Sequence, residues 1–370
     1  MRMTRCKSKA VCLSALQHER ASTQDVEVAG FVRANPQYDL KMTRSGKFQT
    51  TVLIASALLA RIALAGDVLP ASTITRLILL GTQGGPRVSA ERAQPANLLV
   101  VNGTNYLIDA GNGVARQLAL AHVAAAQIHT IFITHNHDDH NADWGTLMGM
   151  AWSLKSPHPI TVYGPAGTES MRKGFLQYFA PNAAARYVEG EQTLPPAKFI
   201  LAHDYKAGLI YKDPNISVTA VENCHFHLPK GSAGYGWQKS YALRFQTPDR
   251  IIVFSGDTGP CGDVIPRIAK GADILIHEVV DLQAIQAQIE SGVSSGQIPA
   301  DKVAGLMNHM RTEHSTAQEV GRVAAAAGVK LLVISHLVIG QDPDAEQKLL
   351  AGVRKSYAGP VVIAHDLEEF

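Results

Sequence analysis

Seven consecutive residues, Thr134-His135-Asn136-His137-Asp138-Asp139-His140, put three imidazoles and two carboxylates directly behind the apolar run Ile131-Phe132-Ile133. Neutral imidazole nitrogens and carboxylate oxygens suit Zn²⁺, and mixed sets of this kind also take Mn²⁺ or Fe²⁺. A strand that ends in so dense a cluster predicts a metal site. More candidates stand behind other apolar runs: Asp109 after Tyr106-Leu107-Ile108, His225 after 216–221, Asp257 after 252–254 and His336 after 331–334. His227, two residues beyond His225, competes with it for the same role. Asp138 reads as solvent-facing or as a helix cap, and His309 as one of several surface histidines.

The elements that carry these residues alternate. Strand patterns at 75–80, 97–101, 105–109, 129–134 and 160–163 are interleaved with helical stretches at 114–125, 144–154 and 169–179, and Asn102-Gly103 predicts a hairpin turn. Between 199 and 254 short apolar alternations predict mostly antiparallel strands. The last third returns to strands at 274–276, 331–334 and 361–363, separated by helices at about 262–270, 300–311, 315–327 and 343–356. The Gln- and Ser-rich stretch 282–300 reads as a mobile loop that shapes the pocket. This order predicts one compact α/β domain, with sheets inside, helices outside and polar strand ends collected at one edge.

Composition sets the outer limits. A chain of 370 residues with 46% hydrophobic residues can bury a full core. The net charge of +2 conceals an asymmetry: residues 1–65 hold ten Lys/Arg and four Asp/Glu, so 66–370 is at about −4. A mildly acidic body argues against non-specific binding of a polyanion. Within 42–65, a basic flank, an apolar run interrupted by Arg61 and Ala63-Leu64-Ala65 form the parts of a secretory signal peptide. Met42 is read as the start, 1–41 as an upstream extension, 66–370 as the domain, and the destination as periplasmic or secreted. The run is too short for a stable membrane span. Loss of the leader removes Cys6 and Cys12 and leaves Cys224 and Cys261, a pair that an oxidising compartment could join; two separate thiols are the expectation.

The set Leu107-Ile108-Asp109, His135-x-His137-x-Asp139-His140, His225, Ser255-Gly256-Asp257-Thr258 and His336 resembles the metallo-β-lactamase superfamily over roughly 75–370. The resemblance implies an αββα sandwich, two mixed sheets flanked by helices, with two metal ions in the cleft. It puts one ion on His135, His137 and His225, the other on Asp139, His140 and His336, and Asp257 between them. A hydroxide shared by the ions would then attack an ester, with Asp139 counted among the catalytic residues as well as the ligands. Asp109 and His277 would stand behind the ligands and orient them.

His140 sets the chain apart from the common zinc lactamases, and His137 from the flavodiiron relatives, which carry Glu there. The elements His277-Glu278 and His314-Ser315-Thr316 are similar to those of ribonuclease Z and its arylsulfatase and phosphodiesterase relatives. That resemblance makes His314, supported by Glu278, the proton donor to the leaving oxygen. Ribonuclease Z holds transfer RNA with a long basic arm, and no comparable arm is read here. The expectation is therefore a small phosphodiester, aryl sulfate or related ester as substrate, rather than nucleic acid. Its alternatives are a ribonuclease Z-type RNA endonuclease, an exported esterase or lactonase, and a metal-stabilised binding module without turnover. A homodimer is in keeping with these relatives.

Overall fold

Leu77 and Leu79 are buried on one face of the first strand and Ile78 and Leu80 on the other. Successive strand side chains point to opposite faces, so a strand apolar at every position needs cover on both sides. The computed structural model describes residues 75–189, 194–340 and 342–370. The extension, the leader, Cys6 and Cys12 lie outside the described residues.

One sheet is built from β1 (Thr75–Gly81), β2 (Ala96–Val101), β3 (Thr104–Ile108), β4 (Ile128–Phe132), β5 (Ile160–Gly164) and β6 (Ile200–Asp204). The other comprises β7 (Gly208–Lys212), β8 (Ser217–Glu222), β9 (Tyr241–Gln246), β10 (Ile251–Phe254), β11 (Ile274–Val280), β12 (Leu331–Val338) and β13 (Val361–Ile363), while β14 (Glu368–Glu369) returns to flank β1. The order is β14-β1-β2-β3-β4-β5-β6 in the first sheet and β13-β12-β11-β10-β9-β8-β7 in the second. Each sheet is mixed. Strands β3 to β6 run parallel in one and β10 to β13 in the other, and the remaining pairings are antiparallel.

The helices are α1 (Val114–Leu120), α2 (Asp138–Asn141), α3 (Trp144–Ser153), α4 (Thr168–Val188), α5 (Pro196–Phe199), α6 (Val264–Ile268), α7 (Leu282–Ser294), α8 (Val303–Glu313), α9 (Ala317–Ala327) and α10 (Ala345–Arg354). Leu99, Phe132, Phe245 and Val333 interlock between the sheets. Outside the first sheet, Leu107 and Ile131 pack on Leu147 and Trp152, and outside the second, Leu275 and Leu332 pack on Val320 and Val353. The result is the expected layering of helices, two mixed sheets and helices. No described helix is long and apolar enough to cross a membrane.

Two expectations need correction. The stretch 282–300 begins with a 13-residue helix, α7, whose first turn is capped by the Asp281 carboxylate accepting from the backbone N–H groups of Gln283 and Ala284. Ile285, Ile289 and Val293 recur every four residues, which is a helical stripe that the Gln and Ser residues conceal. Cys224 and Cys261 form a disulfide, with their Cα atoms 5.4 Å apart.

Candidate metal centre

The site lies where the parallel strands end. Asp109 follows β3, the 135–140 cluster follows β4, Asp257 follows β10, and Glu278 and His336 sit within β11 and β12. His336 reaches the cleft through a bulge. In the β11 and β12 pairing, His277 faces Ile334 but Val279 faces Leu337, so one residue of β11 opposes both Ser335 and His336. His336 takes a positive φ of 50° there, a conformation that a bulge beside a functional site sustains. Gly256 also has positive φ, 58°, and a Cβ on it would stand 2.7 Å from the carbonyl oxygen of Tyr241. Glycine is the residue that fits this turn into Asp257.

Three groups of donors converge. His135, His137, His225 and Asp257 form one, and Asp139, His140, Asp257 and His336 another, the two sharing Asp257, while Glu278 and His314 make the third with His336. In the first, Nδ1 of His137 is 3.1 Å from Nε2 of both His135 and His225, and each of those nitrogens is 3.9–4.0 Å from Asp257 Oδ2. In the second, His336 Nε2 is 3.3 Å from Asp139 Oδ2 and 3.1 Å from Asp257 Oδ2, and His140 Nε2 is 3.3 Å from Asp257 Oδ1. Donors at bonding distance around one tetrahedral ion stand roughly 3.3–3.6 Å apart.

Hydrogen bonds on the far side of the rings fix which nitrogen is offered. His140 Nδ1–H donates to Asp109 at 2.8 Å, and its buried Nε2 has no hydrogen-bond partner. His225 Nδ1–H donates to the Glu313 carbonyl oxygen at 2.9 Å. Thr134, missed by the sequence reading, donates to Asp109 through both its N–H and its hydroxyl, and so holds the carboxylate that holds His140. His140 Nε2 and Asp257 Oδ1, both buried, 3.3 Å apart and without a hydrogen-bond partner, are what a site shaped for cations presents.

Charge follows the same division. Burial, with the charge of neighbouring histidines, pushes His135 well below the ordinary imidazole range. Burial pushes His225 the same way. Burial opposes the charge on His336, but Asp257 and Asp139 prevail and push it up to about 10. His135, His137 and His225 are thus all pushed toward the neutral form, beside two carboxylates that attract positive charge, a donor set that fits divalent ions.

His314 and Glu278 stand beside this centre. His314 Nδ1 lies 3.3 Å from Glu278 Oε2, while Glu278 Oε1 accepts from the backbone N–H of Ser315 at 2.8 Å and of Thr258 at 3.3 Å. Burial alone would lower His314, but the Glu278 carboxylate outweighs it and raises the imidazole. His277 is not placed as Asp109 is. Its Nδ1–H donates to the Glu278 carbonyl oxygen, and no hydrogen bond among the described residues joins it to a candidate ligand. His225 is fully buried in the centre and His227 is exposed, which separates the two competitors.

A cavity of about 450 Å³ opens over these groups, and His137, Asp139, Asp257 and His314 line it. Helices α7 and α8 add a largely apolar stretch of wall, Ile285, Ile289, Leu306 and Met310, with Gln288 beside them. Asp138 lines it too, as the first residue of α2 rather than its cap. His309 also lines it, held by Glu313 at 3.0 Å, where the sequence predicted a surface residue. Its place one turn after Leu306 and beside Met310 is the only sequence signal of that position.

The family described as Beta-lactamase superfamily domain matches residues 104–337. Ribonuclease Z of Mycobacterium bovis is 28% identical over 295 residues, 79% of this chain and 96% of that protein. Among solved structures, the metallo-beta-lactamase fold protein YhfI of Bacillus subtilis superposes with a TM-score of 0.57 at 20% identity, covering 80% of this chain and 98% of its own. The short form of human tRNase Z does so with 0.54 at 22% identity and the same coverage. Both structures speak to the fold alone.

Proposed function

The chain belongs to the metallo-β-lactamase superfamily of hydrolases, and on that footing we propose that it cleaves phosphodiester bonds. The observation that carries this reading is the Glu278–His314 pair beside the candidate metal centre. Phosphodiester hydrolysis expels an alkoxide or phenoxide, and a positioned imidazolium supplies the proton that such a leaving group needs. An acyl ester with a good leaving group needs it far less.

Two divalent ions held by His135, His137, Asp139, His140, His225, Asp257 and His336 would supply Lewis acidity and a water nucleophilic at neutral pH. The chain's own residues do the rest. Asp109 and Thr134 orient His140, and the Glu313 carbonyl orients His225. Glu278 keeps a proton on Nδ1 of His314, whose other nitrogen then serves the substrate from the cavity wall. As the oxygen of water bonds to phosphorus and gives up a proton to solvent, the bond to the leaving oxygen breaks and that oxygen takes the His314 proton, which solvent then restores.

An RNA phosphodiester is the first substrate proposed, because the similar mycobacterial proteins are named ribonuclease Z. A small phosphodiester or aryl sulfate is the second, and the apolar wall of α7 and α8 favours it. The disulfide, with the leader-like stretch, favours an oxidising compartment outside the cytoplasm for that second reading. A panel of a 3′-extended hairpin RNA, a bis-nitrophenyl phosphate, a nitrophenyl sulfate and a nitrophenyl acyl ester, presented to metal-loaded protein, tests this. Turnover of either phosphodiester is expected, and turnover confined to the acyl ester overturns it.

A further inference from the structure

The disulfide joins the two loops that bring ligands to the three-histidine group. Cys224 immediately precedes His225, and Cys261 lies four residues beyond Asp257. The segment 258–261 also supplies other contacts to Cys224: its N–H donates to Thr258 Oγ1 at 3.3 Å, and its carbonyl oxygen accepts from the Gly259 N–H at 3.1 Å. His225 itself makes two further bonds, from its N–H to Asn223 Oδ1 and from Nδ1–H to the Glu313 carbonyl oxygen. The loop that presents His225 therefore rests on the segment to which the disulfide ties it. A ligand must be held within a fraction of an ångström to keep its ion, and the groups behind it do that holding.

We propose that the Cys224–Cys261 disulfide is a positioning element for His225, and that its reduction weakens the three-histidine metal site, which alone contains His225, more than the site of Asp139, His140 and His336, with which it shares Asp257. The proposal rests on the metal reading of the centre. Both cysteines are half-buried and Pro260, Gly262 and Asp263 around Cys261 are exposed, so a small reductant can reach the bond. A trialkylphosphine would deliver two electrons to the S–S bond, two protons would complete the thiols, and the phosphine would become its oxide with oxygen from water.

The test compares oxidised and phosphine-treated protein, both loaded with zinc and then equilibrated against a chromophoric chelator. Bound zinc per chain, free thiols and far-ultraviolet circular dichroism are read together. One of two ions should bind at least tenfold more weakly after reduction, with the fold retained, and reoxidation should restore it. The Cys224→Ser/Cys261→Ser variant should show the same loss without reductant; should it fail to fold, the reduced natural chain decides. Equal affinity for both ions with both thiols free overturns the proposal, as does loss of both ions together with the fold. Oxidised protein that takes up no zinc overturns the metal reading itself.

Discussion

Glu278 holds His314 from the side away from the cavity, carboxylate oxygen to Nδ1 at 3.3 Å, and is itself held by the backbone N–H groups of Ser315 and Thr258. A carboxylate fixed by two backbone donors cannot swing away from the imidazole it serves. The pair has the arrangement that the proposed proton donor requires, an imidazole whose charged form a fixed carboxylate favours.

His314→Ala should lower kcat on a phosphodiester with a poor leaving group by roughly 10²–10⁴-fold and leave bound metal unchanged. Rates on a series of alkyl and nitrophenyl leaving groups measure this. Equal loss across the series would remove the proton-donor assignment.

The pH profile should carry the same signature. Glu278 raises His314, so the acid form persists above the ordinary imidazole range and kcat/KM falls only as pH climbs through the raised value. In Glu278→Gln the main opposition to burial is removed and only the weaker pull of Asp257 remains, so the descending limb should move to lower pH. An unmoved limb would assign it to another group.

The two donor groups that share Asp257 should be separable. His137→Ala and His336→Ala should each lose one ion, and Asp257→Ala, whose carboxylate belongs to both groups, should lose both. Metal stripped by a chelator should lower the melting temperature, since free ion at a thousandfold its Kd stabilises the folded state by about 4 kcal/mol. Metal per chain and thermal denaturation check both statements.

Leu306 stands on the apolar wall. If that wall receives an aryl group, Leu306→Asp should raise KM for a nitrophenyl phosphodiester by roughly tenfold, because a buried apolar side chain contributes about 1.5–3 kcal/mol. The methyl counterpart should be little changed, and parallel changes in the two KM values would take the aryl group off this wall.

Gly256→Ala would put a Cβ 2.7 Å from the Tyr241 carbonyl oxygen at a positive φ. A destabilisation on the order of 1–3 kcal/mol is expected, read as a lower denaturation midpoint. An unchanged midpoint would show that the turn can relax.

Most of the framework was legible because it is local. Buried strands declare themselves as apolar runs, and the dense pattern His135-x-His137-x-Asp139-His140 marks candidate ligands without tertiary information. The helix α7 hid behind Gln and Ser, although Ile285 and Ile289 kept its period. Strand β6 was not singled out, because only Ile200 of its five residues is buried and the apolar alternation is weak. Cys224 and Cys261 are 37 residues apart, and only the packing of two loops shows that they meet. The bulge at His336 depends on its register with β11, and the place of His309 on how α8 lies over the cleft, neither of which a single segment encodes.

Diffraction from zinc-loaded crystals at the zinc absorption edge tests the central claim most directly. Two anomalous peaks are expected, about 3.5–4 Å apart, one among His135, His137 and His225 and the other among Asp139, His140 and His336, with Asp257 touching both. Peaks elsewhere on the protein, or none in this cleft, would contradict the account.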